Sequence, residues 1–270
     1  MPRSHRERFP EDSQLPLSRL PGALCGPITT GRVPTPISGT NYPGRRRPGP
    51  GHGRSRPEVP ISAPTPASWA YAESFVDEDD VLARARARGD ELGCRGVRPG
   101  VGAMLRLLAA AGGARSVVEI GTGAGVSGVC LLRGMPADGV LTTIDVEAEN
   151  QRAAREAFAE AGVRPNRTRL ITGRALDVLP RLTDRAYDLV LIDAETGEYD
   201  AYADQALRLL RRGGVLAVVD ALWRGKVADP AQRDRTTTTM RELGKRVRDD
   251  DRLVPALLPV GDGLLLAVVR

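Results

Sequence analysis

The sequence predicts an α/β protein built on a doubly wound, mostly parallel sheet that finishes in an antiparallel C-terminal hairpin strand. Three observations predict it. From Ser116 onward, short apolar runs alternate with helical patterns, as expected for parallel strands covered on both faces. The first run leads directly into a glycine-rich turn that opens a helix. Near the end, the runs 252–259 and Leu264–Val269 flank Val260-Gly261-Asp262-Gly263, a pairing that reads as a β-hairpin.

The elements follow in order. Order begins near Ser68. Residues 74–93 read as a helix, with Asp77, Glu78, Asp79 and Asp80 in its first turns, where acids suit the helix dipole. A second helix follows Pro99, with Val101, Met104, Leu105 and Leu108 on one face. Strands are predicted at Ser116–Ile120, Val140–Asp145, 168–171, 187–193 and 214–220. Helices are predicted from the glycine turn to about residue 133, then at 149–161, 175–182 and 199–210. A polar helix over 231–248 precedes the hairpin. Trp69, Tyr71 and Phe75 read either as packing the first helix on the core or as a lid over a substrate.

Composition separates the first quarter of the chain from the rest. Residues 1–66 hold 14 of the 21 prolines and carry ten arginines against four acids. Without apolar periodicity such a segment cannot offset its ordering entropy, so it reads as a disordered tail before a folded domain at 67–270. The net charge of +5 resides in that tail; the remainder has 29 basic and 30 acidic residues. The folded part therefore gives no electrostatic footprint for nucleic acid. It also has no histidine, since His5 and His52 both lie in the tail. No apolar stretch suits a membrane span or a secretory signal. Three cysteines without close spacing argue against a disulfide framework and fit a cytoplasmic location.

The chemistry concentrates in Val117-Val118-Glu119-Ile120-Gly121-Thr122-Gly123-Ala124-Gly125-Val126-Ser127. Gly121, Gly123 and Gly125 suit a loop where backbone approaches a ligand or takes positive φ. The helix N-terminus beyond them favours an anionic group, with the Ser127 hydroxyl as an added donor. In this reading the anion is the carboxylate of an S-adenosylmethionine (SAM) cofactor, and Glu119 accepts from its ammonium directly or through water. Asp145, at the tip of the second strand about 20 residues on, is placed for ribose hydroxyls. Arg174 and Ala175, after the third strand, border the adenine. Gly123 to Gly128 also fits G-x-G-x-x-G, which keeps an NAD-dependent oxidoreductase in view.

From about Ser68 to Arg270 the sequence resembles SAM-dependent O-methyltransferases of the catechol/caffeoyl-CoA type, including actinobacterial members. The stretches 118–127, 141–145, 187–194 and 210–220 carry the resemblance. It implies the class I methyltransferase (Rossmann-like) fold, a small-molecule hydroxyl acceptor and a homodimer. It implies cofactor contacts at Val97, Glu119, Gly121, Thr122, Ser127, Asp145 and Val146, with Asp193 also at the cofactor.

The family usually holds magnesium between two acids and an asparagine, and a lysine helps to deprotonate the acceptor. By resemblance the acids are Asp193 and Asp220, which would serve as metal ligands and catalytic groups. The chain departs twice: Ala221 stands at the asparagine position and Thr196 at the lysine position. Glu195, Glu198 or Asp200 would be the replacements for a third oxygen, and Lys226 or Arg224 for the positive charge. Otherwise Asp193 works alone as base or orienter in a metal-independent transferase. A SAM-binding protein with lost or altered catalysis is the alternative. A base methyltransferase is disfavoured, because Asp193-Ala194-Glu195-Thr196 stands where an Asp/Asn-Pro-Pro-aromatic motif would be.

Overall fold

The structure is a computed structural model and describes residues 65–270. The disordered reading of the tail falls on residues outside that range, save its last two.

Helix α1 (Pro66–Glu73) starts with Thr65 as N-cap, accepting from Ser68 N, and Pro66 in the first turn. Helix α2 (Asp80–Leu92) follows after a break. The helix predicted over 74–93 is thus shorter and separate from α1. Asp79 is not in its first turn; it is the N-cap, accepting from Leu82 N at 3.2 Å. Helix α3 (Pro99–Ala111) buries Val101, Leu105 and Ala109. The alternating part runs β1 (Ser116–Ile120), α4 (Val126–Gly134), β2 (Val140–Asp145), α5 (Ala148–Glu160), β3 (Thr168–Thr172) and α6 (Ala175–Val178). It continues with β4 (Tyr187–Ile192), α7 (Tyr199–Leu209), β5 (Leu210–Val218) and α8 (Arg235–Asp249). The chain closes with β6 (Leu253–Leu258) and β7 (Leu264–Val269).

The seven strands form one sheet in the order β3-β2-β1-β4-β5-β7-β6. β1 to β5 pair in parallel, and β7 inserts antiparallel beside β5, with Val215 opposite Val268. The predicted hairpin is β6–β7, and its last strand has the predicted antiparallel sense. β1, β4 and the inner part of β5 are buried on both faces, as continuous apolar strands require. One core layer joins the sheet to α2–α5 and includes Leu105, Leu131, Leu141 and Phe158. The other joins it to α7 and α8 and includes Tyr199, Leu209, Leu243 and Val247.

The N-terminal aromatic residues correct an expectation. Helix α1 buries no residue, and Tyr71 and Phe75 are each 71% exposed. They do not pack α1 on the core. What ties α1 down is Glu73, which accepts from Gly100 N at 2.9 Å and from Gly261 N at 3.1 Å. No helix among the described residues is long and apolar enough to cross a membrane.

Candidate active site

Strand order reverses between β1 and β4, and the chain opens a cavity of about 480 Å³ outside the carboxyl ends of β1, β2 and β4. Such a reversal leaves a crevice, because the connections on its two sides depart to opposite faces of the sheet. The size suits a small-molecule ligand.

The glycine loop forms the floor. Gly121 has φ +93°, and a Cβ there would lie 1.8 Å from the Asp193 carbonyl oxygen. The loop therefore crosses β4 at a distance only glycine permits. Gly123, with φ +49°, also lines the cavity. Gly125 does not. Its φ is +88°, and a Cβ would lie 2.9 Å from Ala154 Cα, so this glycine seats α4 against α5. Gly125 is also the N-cap of α4 and makes no side-chain capping bond, while Val126 and Ser127 face the cavity. A helix N-terminus without a side-chain cap is a ready anion site.

Glu119 is placed differently from expectation. It is fully buried beneath the loop and is not part of the cavity wall. Ser127 Oγ donates to its Oε1 at 2.5 Å, and Thr143 Oγ1 donates to its Oε2 at 2.6 Å. The chain of bonds continues, with Thr122 Oγ1 2.7 Å from Thr143 Oγ1 and Gln151 Nε2 donating to Thr122 Oγ1 at 2.9 Å. Because Thr143 gives its proton to Glu119, Thr122 must supply the proton between the two threonines. Ser127 likewise has its hydrogen committed to Glu119, so it offers the cavity an acceptor. While that bond stands, the free donors at this point are the backbone N–H groups at the start of α4. Burial pushes the Glu119 carboxyl up to about 7; the two donated bonds oppose this and the charge of Asp145 adds to it.

Asp145 lies on the cavity wall, as do Thr122, Val146 and Ala175. Its Oδ2 accepts from Thr122 N and Gly123 N, both at 2.9 Å, and its Oδ1 from Glu147 N at 2.9 Å. The carboxylate thus pins the glycine loop to β2. Asn150 Nδ2 approaches both oxygens at 3.2 and 3.3 Å. Val97 is buried off the cavity, its carbonyl accepting from Arg86. Arg174 is also off the wall and donates to Glu198 at 2.8 Å.

Asp193 follows β4 and forms the far wall. Burial raises its carboxyl to about 8, helped by the charges of Asp220, then Glu119 and Asp145. Asp220, after β5, is off the wall and has φ +55°. Its carboxyl is also raised, by burial and then by Asp262, against the lowering charges of Arg98 and Arg224.

The donor set does not complete a three-ligand metal site. Ala221 is buried and has no ligand atom, and among the described residues no group of three or more His, Cys, Asp or Glu is placed to hold a cation. Three of the substitutes are engaged elsewhere. Glu198 accepts from Arg174 and from Tyr202, Asp200 lies 3.8 Å from Arg246, and Lys226 lies 3.7 Å from Asp234. Glu195 alone of these lines the cavity.

Sequence reasoning missed several wall residues. Asn150 and Glu147 sit at the start of α5, where the position just past Asp145 was a usable signal. Cys94, Arg95 and Gly96 come from the α2–α3 link, and a Cβ on Gly96 would lie 2.7 Å from Val126 Cγ2. No local pattern announces that fold-back.

A doubly wound sheet with an antiparallel seventh strand, a glycine loop over its reversal and an acid at the end of each strand flanking β1 define the class I methyltransferase fold. The comparisons agree with that class. The O-methyltransferase family profile matches residues 79–270. A Mycobacterium tuberculosis protein described as a probable O-methyltransferase is 51% identical over 219 residues, covering 81% of this chain and 97% of its own. Among solved structures, the O-methyltransferase TomG of Streptomyces achromogenes, in complex with SAM, is 32% identical with a TM-score of 0.68, covering 75% of this chain and 96% of its own. A Bacillus cereus O-methyltransferase in complex with S-adenosylhomocysteine is 26% identical with a TM-score of 0.68, covering 76% and 99%. The chain belongs to the O-methyltransferase family.

Proposed function

We propose that this chain binds SAM in the cavity and transfers its methyl group to a hydroxyl of a small molecule, without a resident metal. The observation that carries the reading is one continuous wall, running from the uncapped start of α4, past Asp145, to Asp193. The amides at the start of α4 would hold the cofactor carboxylate, and Ser127 Oγ, acting as acceptor, its ammonium. Asp145 and Asn150 would hold the ribose, with Gly173 and Ala175 beside the adenine. When bound, SAM supplies an electrophilic methyl on a sulfonium.

The chain's own contribution is placement and one proton. Asp193 is the catalytic carboxylate at the far wall, and it takes the acceptor hydroxyl's proton. Its raised proton affinity suits that role, because a base poised near the working pH is more effective than an ordinary carboxylate. Asp220, off the wall, acts through its charge on Asp193. Alignment of the hydroxyl with the methyl supplies much of the remaining acceleration. A homodimer in the cytoplasm, with no membrane or nucleic-acid partner, completes the proposal.

Calorimetric titration with SAM, followed by turnover on a panel of phenols and catechols, tests it. Binding by the wild type, weakened in Glu119→Ala, is expected. Asp193→Asn should bind SAM nearly as well as wild type and lose about 10²–10⁴-fold in kcat. Absence of SAM binding would sink the reading. Binding without turnover of any acceptor would favour a cofactor-binding protein with altered catalysis.

A further inference from the structure

The two sides of the adenine end of the cavity belong to different segments. Gly173 and Ala175, after β3, form one side; Ala194, Glu195 and Tyr202, after β4, form the other. Between them stands one carboxylate, Glu198. Its Oε1 accepts from Arg174 Nη2 at 2.8 Å, across from the β3 side. Its Oε2 accepts from Tyr202 Oη at 2.6 Å, one helical turn along α7. Tyr202 is buried, while the Arg174 side chain is 63% exposed. Both donors keep the Glu198 carboxyl below its ordinary range, Tyr202 more than Arg174, so it stays charged.

Apolar packing also joins the two sides, since Ala175, Leu179, Tyr199 and Tyr202 share one core layer; Glu198 adds the charged link. Glu198 is the residue before α7, yet its carboxylate makes no capping bond to that helix. Its backbone N–H bonds only locally, to Glu195 O at 3.3 Å. Around Gly197 there is open space. The segment from Asp193 to Glu198 therefore has its charged hold on the opposite side in the Glu198 side chain.

We propose that Arg174, Glu198 and Tyr202 form a latch of positioning residues, which draws the segment carrying Asp193 against the β3–α6 turn and closes the cavity over its ligand. The inference rests on the reading of the cavity as the SAM site. Arg174 then acts on the cofactor through Glu198 and does not contact it. An exposed ion pair is weak and screened by salt. A latch of that kind opens readily, as a site that must load SAM and release its demethylated product requires.

Stopped-flow release of SAM and calorimetric affinity test the latch on the full chain, at low and high ionic strength. Arg174→Ala should speed release by about two- to fivefold, the range an exposed pair supports. Tyr202→Phe should do so by a similar factor, and Arg174→Lys should recover most of the loss. Release from the wild type should quicken with salt while release from Arg174→Ala stays flat, a difference that a merely structural role would not produce. Wild-type binding of SAM with unchanged release in both Arg174→Ala and Tyr202→Phe would overturn the latch alone. Failure of the wild type to bind SAM would overturn the cofactor reading and the latch with it.

Discussion

Glu119 shows what burial does to a single carboxylate. The group is fully buried, both oxygens are filled by hydroxyl donors, and it is pushed up to about 7 from an ordinary 4.5. The folded protein therefore binds more protons than the unfolded chain between those two values. Stability from this group falls as pH rises through that window and is constant above it. Glu119→Gln, which cannot titrate, should lack this contribution to the slope in thermal midpoints measured between about pH 4.5 and 7. Cofactor binding has the opposite sign. Ionised Glu119 puts negative charge behind Ser127, where the SAM ammonium would sit, so affinity should increase as pH rises through about 7 and then level off. Calorimetry across that pH should show a larger change in the wild type than in Glu119→Gln, where Asp193 still titrates; matching profiles would remove Glu119 from the binding energetics. The residue type was legible from its place two positions before Gly121. Its indirect action was not, because Thr143 and Ser127 come from other elements, and only the parallel pairing of Glu119 with Thr143 brings them together.

At the scale of elements, strands were more legible than helix ends. Ser116–Ile120, Val140–Asp145 and Leu264–Val269 are apolar runs bounded by turn residues, and each forms a strand with those limits. The first helices depart from the sequence pattern because capping decides their limits. Thr65-Pro66 is a good start signal but lies against a proline-rich stretch, and Asp79 in a run of four acids gives no sign of which acid caps. The glycine loop was legible as a loop, although its glycines serve different ends. Gly121→Ala combines positive φ with a Cβ 1.8 Å from a backbone oxygen. Denaturant unfolding should show a loss of about 3 kcal/mol or more, since strain and a forced backbone shift add. Gly244 is the contrast. It lies inside α8, with nothing within 4 Å of a Cβ position. Gly244→Ala should stabilise the protein by about 0.5–1 kcal/mol, through helix propensity and a less mobile unfolded chain. Equal responses at the two positions would contradict this division.

At the scale of the whole molecule, the sheet order makes the site. Glu119, Asp145 and Asp193 lie more than 70 residues apart from first to last, yet they end or follow the neighbouring strands β1, β2 and β4. Alternation of strands and helices predicts that convergence, because the ends of parallel strands share one edge. The acceptor side is less legible, since it depends on Asp220 and the turn after β5, where Asp220, Trp223 and Arg224 all take positive φ without being glycine. A site assembled from three strands exists only in the folded chain, so SAM should bind the native state and not the unfolded one. At about a hundred times its dissociation constant it should add about 2.7 kcal/mol. For a folded unit of this size that is a rise of roughly 5–10 °C in thermal midpoint. The donor set around Asp193 lacks a third ligand, so the rise and the turnover should survive a chelator and be unchanged by added magnesium. Chelator-sensitive turnover with an intact SAM-induced rise would place a cation on the acceptor side and overturn the metal-independent mechanism. Absence of any SAM-induced rise would mean that SAM does not bind the native chain, and the cofactor reading would fall with it.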